Sequence, residues 1–253
     1  MQLTRARILR WVRWVFLSWA VVSTAWLANS VRTQGVDDAL LSSSSTVTVA
    51  DTEAQLSFMP IRPSGRSALV FYCGSGVAAA AYAPLLRPLA DAGYPVFIIK
   101  LPYRFAPLQS HREIALERAR QLMAVQPVGL RWVAAGHSLG GALAARMAGS
   151  DQAGLAGLVL IATTHPKEED LSRLTLPVTK IYGTQDGVAE PATILANRRL
   201  LPAQTRWIAV QGGNHAQFGH YGRQLLDGKA EISRAAQQAV ARSALLQMLA
   251  QLR

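Results

Sequence analysis

The chain has 253 residues, 50% of them hydrophobic and 16% charged, with 19 Gly, 12 Pro and a single Cys. Those figures exclude a disordered chain, a collagen-like fibre and a disulfide-stapled miniprotein, and they suit one large α/β core with appendages. The formal charge is +11, yet residues 31–253 keep 22 basic against 15 acidic groups without clustered basic and aromatic interleaving, so nucleic acid is not an expected partner.

Arg5, Arg7, Arg10 and Arg13 precede an uncharged apolar run, residues 14–28, and a polar exit at Asn29 and Ser30. This is the layout of a signal sequence, and Trp11 and Val12 can lengthen it into a membrane span if Arg13 snorkels to the headgroups. Ala28 and Ser30 also satisfy the small-residue spacing of a cleavage site before Val31, so cleaved signal and uncleaved anchor both remain open. In either case the positive flank is expected in the cytoplasm and the remainder outside it. Residues 1–30 are therefore expected as signal or anchor and residues 31–45, with four consecutive serines at 42–45, as a polar tether. Residues 46–253 form the folded domain. Lone Cys73 can form no internal disulfide and reads as a small core residue.

Within the domain, short apolar runs alternate with longer helical patterns. Strands are expected at 46–50, 55–59, 68–72, 95–100, 130–135, 155–162, 177–182 and 205–210, and helices at 82–92, 111–125, 139–149, 191–200 and 233–252. Continuous apolar strands are those buried on both faces of a parallel sheet, and the alternation predicts a three-layer α/β sandwich with a mostly parallel sheet of about eight strands.

The stretch 130–149 carries the chemistry: an apolar strand, then Gly136-His137-Ser138-Leu139-Gly140-Gly141, then an Ala-rich helix. G-x-S-x-G between strand and helix is a nucleophile elbow, in which glycines allow the sharp turn that lifts the Ser138 hydroxyl into a cleft. A serine needs a base and a group that orients the base, and in this architecture they follow in the order Ser, acid, His. Asp186 in Tyr182-Gly183-Thr184-Gln185-Asp186-Gly187 follows one strand, and His215 in Gly212-Gly213-Asn214-His215 follows the next. His220 is the rival base and a candidate rim residue, while Glu168, Glu169 and Asp170 offer an alternative acid. His137 reads as packing; His111 and His165 read as surface. For the oxyanion hole, the amides of Leu139 and of Ser75, in the glycine-rich loop Cys73-Gly74-Ser75-Gly76, are the expected donors, with the Gly74 amide as second choice to Ser75 and Gly74 also expected to contact substrate. The loop at 101–107 is expected to wall the pocket through Tyr103 and Arg104.

With these residues in place, the chain from about residue 46 onward resembles the α/β-hydrolase superfamily, and more narrowly the bacterial alpha/beta hydrolase fold-5 group, similar to the dienelactone hydrolase-like proteins. The elbow, the segment 182–187 and above all the segment 212–222 (GGNHAQFGHYG) carry the likeness. Dienelactone hydrolases proper have cysteine where this chain has Ser138, and members of the group often have an acidic residue where it has His220. The resemblance implies a hydrolase fold and a Ser138, Asp186, His215 triad. Only fifteen residues, 163–177, separate the sixth and seventh strands, too few for a large cap domain.

The expected function is hydrolysis of small-molecule carboxylic esters or thioesters through an acyl-enzyme, by a domain exported or held at the outer face of the cytoplasmic membrane through the N-terminal segment. Acyl transfer or peptide cleavage by the same triad is an alternative, and so is a catalytically silent module that binds lipid or a partner. No metal or organic cofactor is called for. Oligomeric state has no signature in the sequence.

Overall fold

The computed structural model describes residues 5–150 and 154–252. Residues 1–4, at the start of the expected N-terminal segment, lie outside that range. The first helix, α1 (Arg5–Val31), holds an apolar stretch from Arg7 to Val31 that is almost wholly exposed, and it is the one helix among the described residues long and apolar enough to cross a membrane. Eight strands then form one sheet: β1 (Val47–Asp51), β2 (Gln55–Pro60), β3 (Ser67–Tyr72), β4 (Val96–Ile99), β5 (Arg131–His137), β6 (Leu155–Ile161), β7 (Val178–Gly183) and β8 (Arg206–Val210). Their spatial order is β1-β2-β4-β3-β5-β6-β7-β8. The β1–β2 and β2–β4 pairs are antiparallel, and every pair from β4 to β8 is parallel.

The parallel strands are the apolar runs expected from the sequence, and all six residues of β3 are buried. Such strands need cover on both faces. It comes from α2 (Ala83–Asp91) packed with α6 (Arg234–Gln251), and from α3 (Gln109–Ala124) packed with α4 (Leu139–Ser150); the short α5 (Pro191–Ala196) lies between β7 and β8 in the chain. The architecture is thus the expected three-layer sandwich. Because β3 lies between β4 and β5, the chain reverses direction across the sheet there, and the loops leaving the carboxyl ends of β3, β5, β6, β7 and β8 gather at one edge. In open α/β sheets that edge is where ligands bind.

The polar segment between α1 and β1 lies along the domain. Buried Arg87 of α2 donates to the carbonyls of Leu40 and Ser42, both at 2.9 Å, and to Ser44 Oγ at 3.1 Å. Thr33 forms a β-bridge with Tyr221, and the Gln34 amide donates to the His220 carbonyl at 2.9 Å.

Candidate active site

Ser138 sits between β5 and α4 with φ +56°, a left-handed conformation that costs a residue bearing a Cβ about 1–2 kcal/mol and persists where surrounding structure enforces it. Two glycines make the turn feasible. A Cβ on Gly136 would lie 2.1 Å from the Gly140 carbonyl oxygen, and one on Gly140 would lie 2.0 Å from that of Tyr72, so the elbow crosses β3 at a distance only glycine permits. The Ser138 amide donates to Ile161 of β6 at 3.0 Å, which fixes the turn to the sheet.

Asp186, in the loop after β7, accepts the Val188 amide at 2.9 Å and the Ala189 amide at 2.6 Å, both through Oδ1. His215, after β8, places Nδ1 2.9 Å from Asp186 Oδ2 and 3.1 Å from Oδ1. Both side chains are buried. An Nδ1–H that donates to the carboxylate leaves Nε2 as the acceptor, and His215 Nε2 is buried without a hydrogen-bond partner among the described residues. A cavity of about 140 Å³ brings Ser138, Leu139 and His215 together with Ala162, Thr163, Thr164, His165, Val188 and Ala189. The structure thus assembles Ser138, Asp186 and His215 at one edge, with Ser138 and His215 lining the same cavity.

Further groups, which the sequence does not reveal, hold His215. Asp227 is 2% exposed and accepts the amides of His215 at 3.0 Å and Ala216 at 2.9 Å; burial raises its carboxyl above the usual range while those amides oppose the shift. His137 is buried, not merely packed. Its Nε2–H donates to the His215 carbonyl at 3.2 Å, and its Nδ1 accepts from the Tyr82 hydroxyl at 2.9 Å. Tyr82 in turn accepts the Gly74 amide at 2.9 Å. Burial first, then the neighbouring His215, pushes the His137 imidazole far below its ordinary value, so it stays neutral. Lys180 of β7 is 1% exposed, donates to the carbonyl of cavity-lining His165, and has its ammonium pushed down to about 7 by burial.

Among the expected oxyanion donors, Gly74 spends its amide on Tyr82, whereas the amides of Ser75 and Leu139 have no acceptor among the described residues. Three expected substrate contacts do not line the cavity. Tyr103 stands 78% exposed with its ring against His111, Arg104 donates to the Val31 carbonyl at 3.1 Å, and His220 Nδ1 lies 3.0 Å from the Gly35 carbonyl. The last two face the segment at the end of α1. His165, read as surface, is a half-buried cavity wall instead. The alternative acid Asp170 is exposed and accepts the Ser172 amide at 3.0 Å.

Solved structures share this arrangement of elements. Est1E from Butyrivibrio proteoclasticus superposes with a TM-score of 0.58 at 12% identity, covering 81% of this chain and 100% of that one. A predicted CIB-like hydrolase from Thermoplasma acidophilum gives 0.59 at 14% identity over 79% and 97% of the two chains, and a ferulic acid esterase from Streptomyces cinnamoneus gives 0.60 at 19% over 75% and 68%. At these identities the likeness is one of fold. No curated protein matches the sequence. A family model described as alpha/beta hydrolase family matches residues 68–239, from β3 through the elbow and both later loops into α6. With the six strands β3 to β8 and the elbow in that span, the chain belongs to the alpha/beta hydrolase family.

Proposed function

We propose that the protein is a serine hydrolase of carboxylic esters or thioesters. The observation that carries this reading is the Asp186–His215 pair at 2.9 Å, whose Nε2 has no hydrogen-bond partner among the described residues, in a histidine that lines one cavity with the elbow serine. His215 takes the Ser138 proton as Oγ attacks the acyl carbon. The Ser75 and Leu139 amides receive the developing oxyanion, and the imidazolium returns its proton to the departing alcohol or thiol. Water, deprotonated by the same imidazole, then attacks the acyl-enzyme; the bond from the acyl carbon to Ser138 Oγ breaks, Oγ takes the proton back from the imidazolium, and the acid is released. Asp186 fixes the tautomer and stabilises the imidazolium. His137 and Asp227 are positioning residues that hold the backbone of the base.

The same reading makes α1 a membrane anchor with the domain outside the cytoplasm. Apolar side chains exposed around the helix support it, Trp11, Trp14, Trp19 and Val21 among them, as do the arginines at its start. Contacts at Asn29, whose carbonyl accepts from Gln34 Nε2 at 3.1 Å, favour retention of the segment over cleavage.

Hydrolysis of p-nitrophenyl butyrate by the purified full chain tests the enzymatic claim. Ser138→Ala should lower turnover by about four orders of magnitude or more with circular dichroism unchanged. Retained activity would refute it.

A further inference from the structure

We propose that α1 holds the mouth of the active site against the bilayer, and that the substrates are esters or thioesters with an acyl or leaving group embedded in that bilayer. The substrate class rests on the serine hydrolase reading above; the docking of the face does not.

α1 ends against the loops at the carboxyl edge of the sheet. Its 27 residues span about 40 Å, enough for a hydrocarbon core of about 30 Å. Its last turn is fastened to the loops of the catalytic edge. Arg104 donates to the Val31 carbonyl at 3.1 Å. A Cβ on Gly76, the residue after Ser75, would lie 3.0 Å from Val31 Cγ1, and one on Gly222 would lie 2.9 Å from Ser30 Cα. Thr33 bridges Tyr221, six residues beyond His215. A bilayer that takes up α1 therefore meets the domain at the face where the triad opens.

That face is furnished for lipid. The two loops flanking the helix exit present Tyr103 at 78%, Phe105 at 47% and Leu108 at 59% exposure on one side, and Leu225 at 65% and Leu226 at 80% on the other. Of the six non-glycine residues with left-handed backbone among the described residues, Tyr103, Arg104, Ala106 and Leu226 lie in these loops, so local strain accompanies the exposed apolar tips. Exposed Arg32, Arg104 and Arg223 lie among them, and the segments 101–108 and 222–226 contain no carboxylate, the charge balance that anionic headgroups attract. The cavity supplies the link to substrate. At about 140 Å³ it accommodates a scissile carbonyl and little more, below the 300–1,000 Å³ usual for ligand pockets, so a long chain must lie outside it, toward exposed Val188 and the apolar loops.

Two measurements on the full chain in vesicles of phosphatidylcholine and phosphatidylglycerol separate docking from chemistry. The first places a nitroxide at Leu226→Cys or, at the opposite end of the sheet, at Val128→Cys; buried Cys73, its thiol pushed up to about 12, stays unlabelled. The label at 226 should collide preferentially with oxygen and that at 128 with a water-soluble nickel chelate; an aqueous signature at 226 would overturn the docking. The second compares Leu225→Ser/Leu226→Ser with wild type on p-nitrophenyl palmitate dissolved in the vesicles and on p-nitrophenyl acetate in water. A loss of about tenfold or more on the vesicle-borne ester, with the acetate rate within twofold, is expected. Equal change on both would overturn the substrate class. A wild-type chain that hydrolyses neither ester would refute the hydrolase reading and with it the substrate class, while the nitroxide result would still decide the docking.

Discussion

The Nε2 of His137 lies 3.2 Å from the carbonyl oxygen of His215, so the residue preceding Ser138 in sequence holds the main chain of His215. Its other nitrogen reaches Tyr82, and Tyr82 reaches the Gly74 amide. One neutral imidazole thus ties the loop after β3 to the loop after β8, and the geometry of Ser75 relative to His215 depends on it. A Cβ on Gly74 would lie 2.9 Å from His137 Nδ1, which explains why this position is glycine although its backbone is not left-handed.

Tyr82→Phe removes the central link and leaves a buried amide and a buried imidazole nitrogen unpaired. The expected cost is about 1–3 kcal/mol of stability, read from the midpoint of urea unfolding. Turnover should also fall, because the Gly74-Ser75 loop loses its fixed spacing from the elbow. Unchanged stability and rate would show that the link holds nothing.

Acid stability follows from the same residue. The His137 value is depressed in the folded protein, so the unfolded chain binds the proton more readily as pH falls below about 6.5. The stabilisation from neutral His137 is present above that pH and is lost as pH drops toward the folded value; His165 and His220, also depressed chiefly by burial, act in the same sense. Unfolding free energy should therefore fall by up to about 1.4 kcal/mol per pH unit below pH 6.5 from the fully buried His137, with smaller, solvent-screened contributions from the partly exposed His165 and His220. His137→Gln should show a shallower decline across pH 5 to 6.5 in urea titrations.

The parallel strands were legible because strands buried on both faces are unbroken apolar runs, and the elbow because its glycines and serine have fixed spacing. What was not legible depends on contacts distant in sequence. Tyr82 stands 55 residues before His137, and Asp227 twelve after His215, with no spacing rule joining either pair. The segment 31–45 reads as a tether because it is polar, yet its fastening to Arg87 uses the carbonyls of Leu40 and Ser42, which carry no side-chain signature. Tyr103, Arg104 and His220 are in loops at the catalytic edge, as the strand pattern implies; which wall they face is decided by the end of α1 and the segment behind it.

The carboxylates give graded expectations. Asp186→Asn should lower kcat by about four orders of magnitude at neutral pH, because the base loses its tautomer control and the imidazolium its countercharge. Asp227→Asn keeps the shape but weakens the hold on the His215 and Ala216 amides, and a loss of about tenfold to a hundredfold is expected, larger in kcat than in KM. Asp170→Asn, exposed and bonded to Ser172, should change turnover less than about tenfold. Steady-state kinetics on the three purified variants, with circular dichroism to check folding, test the ranking.

Lys180 predicts the alkaline side. Its folded value of about 7 lies below the unfolded value of about 10.4, so the unfolded chain binds more protons in between, and stability should rise with pH from 7 toward 8.5, before ionisation of the unfolded tyrosines and thiol intervenes. Lys180→Met should abolish that rise. Urea midpoints at pH 7.0, 7.75 and 8.5 for both proteins suffice; a slope unchanged in the variant would mean that the ammonium is not shielded from water.

In the proposed mechanism Ser138 is a nucleophile activated by His215 and Asp186. Incubation of the folded full chain with a fluorophosphonate, followed by peptide mass mapping, puts this to the test. A single adduct on the peptide bearing Ser138, absent in Ser138→Ala and formed at least a hundredfold more slowly in His215→Ala, is the predicted result. No adduct on the wild-type chain, or an adduct that persists at the same rate when His215 is removed, would contradict it.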